Sequence, residues 1–401
     1  MRKIILTGGL LLSLLTGHAQ KKNENSNYEA RKLKVDEVNI VSSYYQQDGD
    51  KSAVTGGIGT EYLYDIANSV DIKMSFIDKR MRKHSVIADF NVDYYSSASS
   101  DNIDPRTISG ASRHDTHVYP SLSWSMKNDK NHTTIGASGS FSTEYDYRSF
   151  GGNLSFAKAS KDNNRELSIK AGAFLDTWYA ILPAELRPIT TGSGAKGDPI
   201  SLAQKPRNSY NIAFSLSQVI NKRLQVMLVF EPAYQQGLLS TPYHRVYFNN
   251  NLVTVEKLPG SRLKFPIGAR VSYFLGDNII LRGFYRFYAD DWGMTAHTIN
   301  LESSIKLTPF FSISPFYRFN TQTHIRYFAP YMKHLPTEAY YTSDYDVSSF
   351  DSHFVGAGIR MAPPGGIFGI KQFNSVELRY GHYYRNTVLN SNIVTLAMKF
   401  K

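Results

Sequence analysis

The feature that most limits what this chain can become is a rhythm of strands and connections. Segments of about 10 to 16 residues alternate apolar and polar side chains, the period of two that turns successive residues to opposite faces of a strand. Val394, Leu396, Met398 and Phe400 share one face of the last segment, with Thr395, Ala397 and Lys399 on the other. Leu224, Val226, Leu228 and Phe230 alternate in the same way with Gln225, Met227, Val229 and Glu231. The stretch Phe265, Ile267, Ala269, Val271, Tyr273, Leu275 alternates with Lys264, Pro266, Gly268, Arg270, Ser272 and Phe274. No segment sustains the 3.6-residue period of an amphipathic helix. Strands of soluble proteins average 5 to 6 residues, whereas a tilted membrane strand needs roughly 9 to 11.

The connections alternate in length. Tight turns are expected at 78–83, 127–130, 160–165, 221–222, 276–277 and 308–309, with a longer one at 363–372. Between them fall long polar stretches around 47–52, 99–113, 181–205, 237–261 and 327–348, with shorter members near 146, 291 and 388. Short turns on one side and longer loops on the other are the asymmetry of an outer-membrane barrel. Seven turns and eight loops predict sixteen strands: an all-β, up-and-down antiparallel transmembrane β-barrel with both ends in the periplasm. A soluble β-sandwich or propeller is the alternative. The strand lengths and the absence of a blade-like repeat argue against it.

Composition narrows the class further. Phe, Trp and Tyr number 23, 3 and 27 in 401 residues, only 20% of residues are charged, and mean hydropathy is −0.33. Such a chain is too aromatic and too weakly charged for disorder, and it lacks the run of about 20 apolar residues that a helical span needs. Residues 1–19 read as a signal peptide: Arg2 and Lys3, then apolar Ile4 to Leu15, then Gly17-His18-Ala19 as the cleavage site. A polar periplasmic segment over 20–34 and a barrel over 35–401 follow, which places the protein in the cell outer membrane. Zero cysteines exclude a lipid-modified terminus, disulfides and thiolate chemistry. Phe400-Lys401 reads as a variant of the terminal aromatic that barrels use as an assembly signal.

Several long strings carry a resemblance: STPYHRVYF (240–248), LPGSRLKFPIGARV (258–271), DNIILRGFYRFYADDWGMTAHT (277–298), PFFSISPFYRFNTQT (309–323), YYTSDYD (340–346), FVGAGIRMAPP (354–364) and ELRYGHY (377–383), with VDEVNIVSSYYQQDG and AVTGGIGTE near the front. From about residue 35 to the end the chain resembles a domain-of-unknown-function family of exported proteins from Gram-negative bacteria. The resemblance implies an outer-membrane β-barrel and brings no activity or catalytic residues. Members of that family tend to be encoded beside a small lipoprotein, a thioredoxin-like protein and a flavin-attaching transferase, so the resemblance points to an extracytoplasmic redox setting.

If the apolar faces meet lipid, the other faces line the lumen. Arg270, Arg282, Arg286, Arg318, Arg360 and Arg379 then point inward, since each would cost about 2–4 kcal/mol facing lipid near the midplane. Glu231, Glu302 and Glu377 share the lumen as acidic partners. Guanidinium forks suit carboxylate and phosphate groups, so the excess of arginine reads as a wall that sets pore selectivity, against the simpler reading of mutually satisfied salt bridges. Phe274, Phe284, Tyr288, Phe316, Phe354 and Tyr383 are expected in the lumen as filling, and YYTSDYD as a loop packing into the mouth.

Catalysis and cofactors find little support. His114 and His117 lie three apart, on opposite faces of a strand, so no metal is expected there. His297 with Ser303 or Ser312 has no spacing that compels a hydrolase. The glycines of TGGIGTE (55–61) lack the Gly-Lys-Ser of a phosphate cradle and are expected to bend a strand or let it approach a neighbour. The net charge of +11 is dispersed, which argues against nucleic acid. The expectation is a non-enzymatic passive or weakly anion-favouring pore for small solutes, with outer-membrane lipid as its partner and no cofactor. The alternative is a non-conducting scaffold for a periplasmic lipoprotein or redox partner.

Overall fold

A computed structural model describes residues 32–96, 114–144, 146–179, 186 and 204–401. The signal-peptide expectation lies outside these residues. The described chain forms sixteen antiparallel strands: β1 Lys34–Gly49, β2 Leu63–Ile77, β3 Lys83–Ser96, β4 His114–Val118 with Ser121–Asn128, β5 Thr133–Thr143, β6 Tyr147–Ala159, β7 Arg165–Tyr179 and β8 Gln204–Asn221. They continue as β9 Leu224–Phe230 with Ala233–Gly237, β10 Ser261–Lys264 with Ile267–Leu275, β11 Ile279–Ala289, β12 Thr295–Thr308, β13 Phe311–Gln322, β14 Phe350–Met361, β15 Phe373–Arg385 and β16 Leu389–Phe400. Each pairs with its neighbour, and β16 returns to β1 through Phe400↔Val38 to Leu389↔Gly49, which closes the sheet and leaves no edge.

Three strands that read as continuous are interrupted. The breaks fall at Tyr119-Pro120, Glu231-Pro232 and Phe265-Pro266, because proline has no N–H for the ladder. Register survives each break: Val229↔Gly268 and Ala233↔Lys264 keep the same offset, so inward and outward faces do not exchange. The short turns are built locally. In the β2–β3 turn the Asp78 carboxylate accepts the N–H groups of Arg80 and Arg82, each at 2.9 Å. The same carboxylate pairs with the Arg82 guanidinium at 2.7 Å, and these hydrogen bonds hold it well below the usual acid range.

The outer surface carries the exposed apolar residues. Leu122, Phe150, Leu154, Leu175, Phe214, Leu281, Leu301, Val355 and Leu378 all lie on the faces turned from the lumen. This band faces the hydrocarbon of an outer membrane. Toward the loop end, outward tyrosines satisfy their hydroxyls against outward neighbours: Tyr285 with His297, Tyr317 with His353 and Tyr380 with Asn392, each at 2.8 Å. Amphipathic rings with a satisfied polar tip suit the headgroup level.

Candidate functional site

The lumen has two unlike walls. Along β10 to β15, Arg270, Arg282, Arg286 and Arg318 line a bay of about 610 Å³ together with Glu302 and Tyr383. A contiguous recess of about 240 Å³ adds Arg379, Phe316 and Phe354. Glu302 is the hub: Arg282 reaches it at 2.9 Å and Arg379 at 2.9 Å, while Arg379 also contacts Glu377 at 3.2 Å. Arg282 gives a further hydrogen bond to Ser304 at 2.7 Å. Three of these guanidiniums lie over aromatic faces: Arg379 over Phe316 at 5.0 Å, Arg270 over Phe284 at 5.6 Å and Arg318 over Phe354 at 5.7 Å.

The rings need room against the wall, and paired glycines give it. Gly356 and Gly381 stand opposite one another across β14 and β15. A Cβ on Gly381 would meet the Phe354 ring at 2.5 Å, and one on Gly356 would meet Phe316 at 2.5 Å and the Tyr380 carbonyl at 2.1 Å. Phe316 and Phe354 lie in that niche, 5.1 Å apart.

The other expected lumen charges stand apart from this cluster. Arg360 faces inward on β14, opposite Glu377 in register, and among the described residues it makes no ion pair. Glu231 sits at the break in β9, its N–H donating to the Pro266 carbonyl at 3.0 Å, and no arginine reaches it among the described residues. His297 faces outward to Tyr285 whereas Ser312 faces inward, so the two are not brought together. His117 contacts Ser142 at 2.6 Å and lies 3.9 Å from Asp93.

The opposite wall is acidic, which the arginine-centred reading of the sequence missed. Asp65 and Asp71 of β2 and Asp89 and Asp93 of β3 all face the lumen, with Asp71 and Asp89 directly paired in register. Asp89 accepts from Ser121 at 2.8 Å and Asp93 from Tyr119 at 3.0 Å. One oxygen each of Asp65 and Asp71 has no partner among the described residues. The signal was present in the alternation itself, as Asp-Phe-Asn-Val-Asp at 89–93. From β4 to β8 the lumen face is mostly Ser, Gly and Asn, exemplified by Ser168–Ser215 at 2.7 Å.

Above both walls, three loops meet over the mouth. The 238–260 loop contains a hairpin, Arg245–Tyr247 with Val253–Val255. Arg245 donates to the Val54 carbonyl of the 50–62 loop at 2.7 Å. These loops leave β9–β10 and β1–β2, which stand half a circumference apart, so this contact spans the barrel. At strand spacings of about 4.8 Å and tilts near 40°, sixteen strands give a diameter of roughly 30 Å. The 323–349 loop fills the space between: Thr342 donates to Glu256 at 2.6 Å, and Lys257 and Tyr341 exchange backbone hydrogen bonds at 3.1 and 2.7 Å. Asp346 ties this loop to the inward-facing Arg385 of β15 at 2.6 Å, so the YYTSDYD segment does pack into the mouth.

The glycines at 55–61 correct one expectation. They bend no strand; they follow the short turn Ala53–Thr55 within the loop, with Gly56, Gly57 and Gly59 at φ +82°, +85° and +80°. Their closeness is to other loops: a Cβ on Gly57 would meet the Ser343 carbonyl at 2.7 Å, and one on Gly56 the Tyr247 ring at 2.6 Å.

A closed sixteen-stranded barrel with an apolar exterior, a polar two-walled lumen and a looped-over mouth defines an outer-membrane β-barrel. The chain belongs to the DUF3570 family of proteins of unknown function, whose model matches residues 14–387. Among solved structures it is similar to a BenF-like porin from Pseudomonas fluorescens Pf-5, at 7% identity and TM-score 0.45 over 91% of this chain and 98% of that one. It is also similar to OccK2 (OpdF) of Pseudomonas aeruginosa, at 8% identity and TM-score 0.43 over 91% and 98%. A bacterial polysaccharide outer membrane secretin matches at 10% identity and TM-score 0.44 over 91% and 98%. No curated protein matches the sequence.

Proposed function

We propose that the barrel is a passive pore for small solutes in the outer membrane, reached after export and removal of residues 1–19, with a weak preference for anions. The observation that carries this reading is the bay of about 610 Å³ lined by four arginines and one glutamate. Glu302 neutralises part of that charge, and the remaining guanidiniums offer forked donors to carboxylate or phosphate groups. The acidic residues across the lumen attract the opposite charge, so the preference is modest and a solute with both charges is turned across the channel. No step consumes energy or forms a covalent bond.

Planar-bilayer conductance of the refolded protein, with the anion-to-cation permeability ratio, tests this. Stable open steps with a ratio above one are expected. Arg282→Ala or Arg379→Ala lowers that ratio, and Asp71→Asn with Asp89→Asn raises it. Open steps indifferent to all four changes would refute the arginine wall while leaving the pore. A folded but silent barrel would favour the second reading, a scaffold for a periplasmic lipoprotein or redox partner. What supports that reading is the set of loops spanning the mouth.

A further inference from the structure

The loops that span the mouth bring three potential ligand atoms to one point. His244 and Glu256 stand at the open end of the 245–255 hairpin, locked side by side by the Glu256 N–H donating to the His244 carbonyl at 2.9 Å. Asp344 comes from the 323–349 loop, as the residue that caps the turn Tyr345–Val347. His244 Nδ1 lies 3.5 Å from Glu256 Oε2 and 3.8 Å from Asp344 Oδ2, and the three atoms fall within 4.8 Å of one another. We infer that His244, Glu256 and Asp344 form a binding site for a divalent transition-metal ion of the zinc type, which would pin the 238–260 loop to the 323–349 loop.

Four observations support the inference. The first is that His244 Nδ1 is buried from solvent and faces two carboxylate oxygens, at 3.5 and 3.8 Å, without a well-formed hydrogen bond to either. Such a buried polar atom is costly unless something occupies it. The second is that each carboxylate is already oriented through other contacts and still presents one oxygen to the centre. Glu256 Oε1 accepts the Thr241 N–H at 2.7 Å and its Oε2 accepts the Thr342 hydroxyl at 2.6 Å. Asp344 Oδ1 accepts the Asp346 N–H at 2.8 Å, leaving Oδ2 toward His244. Outer hydrogen bonds of this kind fix ligands in working metal sites.

The third observation is spacing. Tetrahedral bonds of about 2.0–2.2 Å place ligand atoms roughly 3.4 Å apart, so closure needs shifts of about 0.1 and 0.4 Å toward His244 and at most about 1.4 Å between the carboxylates. The last is charge. Two carboxylates, Glu256 and Asp344, close on the single imidazole of His244. A dication offsets the acidic surplus of that cluster. One imidazole with two carboxylates suits zinc and its neighbours rather than calcium or magnesium, which take oxygen alone.

The test is calorimetric titration of Zn²⁺ into the full-length, chelator-treated barrel in detergent, with Ca²⁺ as the comparison ion. One saturable equivalent of Zn²⁺ is expected, with Ca²⁺ at least tenfold weaker. His244→Gln and Asp344→Asn should each weaken Zn²⁺ binding by tenfold or more, and the outward-facing His297→Ala should leave it unchanged. Heat-modifiable gel mobility verifies that each variant remains a barrel. Should the histidine variant fail to fold, the more exposed Asp344→Asn decides. Absence of a saturable site, or equal affinity in the His244 and Asp344 variants, overturns the inference. The readout is independent of conductance, so a silent barrel that binds zinc refutes the pore alone, and a conducting one that does not refutes the site alone.

Discussion

Gly381 shows how much of the arginine wall depends on a missing side chain. Its Cα lies under the Phe354 ring, and the niche it shares with Gly356 lets Phe316 sit beneath Arg379. Gly381→Val drives a branched side chain into that ring and should cost about 1–3 kcal/mol by overpacking. Urea unfolding in lipid vesicles measures the cost. An unchanged midpoint would mean that the rings move freely and that the niche has no structural role. The inward set of arginines was readable from alternation because long, costly-to-expose side chains mark a face unmistakably. The niche was not, since Val-Gly-Ala-Gly at 355–358 reads equally well as a weak strand until register places Gly356 against Gly381. The His244, Glu256 and Asp344 cluster was less legible still. Asp344 is far along the chain from the other two, on a loop whose path no periodicity describes.

At the scale of elements, the loops respond to pH through Glu61. Burial raises its carboxyl from the ordinary 4.5 to about 7, and nearby Asp346 and Asp344 push the same way while Arg385 and His244 oppose. The folded loop therefore keeps a proton that the opened loop releases. Stability from this group is full below about 4.5 and is lost as pH rises to about 7. Amide exchange over 50–62 and 323–349 in metal-free protein, corrected for intrinsic rates, should show stronger protection at pH 5 than at pH 8. Glu61→Gln should narrow the difference, and equal protection at both pH values in the parent chain would remove Glu61 as its source. Strand lengths and turn positions were legible because turn chemistry is local: Asp78 makes its own turn. The proline breaks at 120, 232 and 266 were visible as residues but not as interruptions, because the flanking alternation continues in phase through each of them.

For the whole molecule the governing term is the solvent on each face. Leu301 and Asn300 are consecutive in β12, one toward lipid and the other toward the bay. Leu301→Arg should destabilise the barrel by about 2–4 kcal/mol near the midplane, whereas Asn300→Arg should be nearly neutral. Equal effects in vesicle unfolding would contradict the assignment of faces. Closure was legible from an even count of strands and alternating connection lengths, but the split into an acidic and a basic wall required knowing which strands stand opposite. The loop contact from Arg245 to Val54 joins places half a circumference apart. In mechanical terms it is a tie rod across a hoop. A hoop without one ovalises when squeezed from the side. With one, ovalising along that diameter must first part loop from loop, so the hoop is stiffer in that direction than its strands alone would make it.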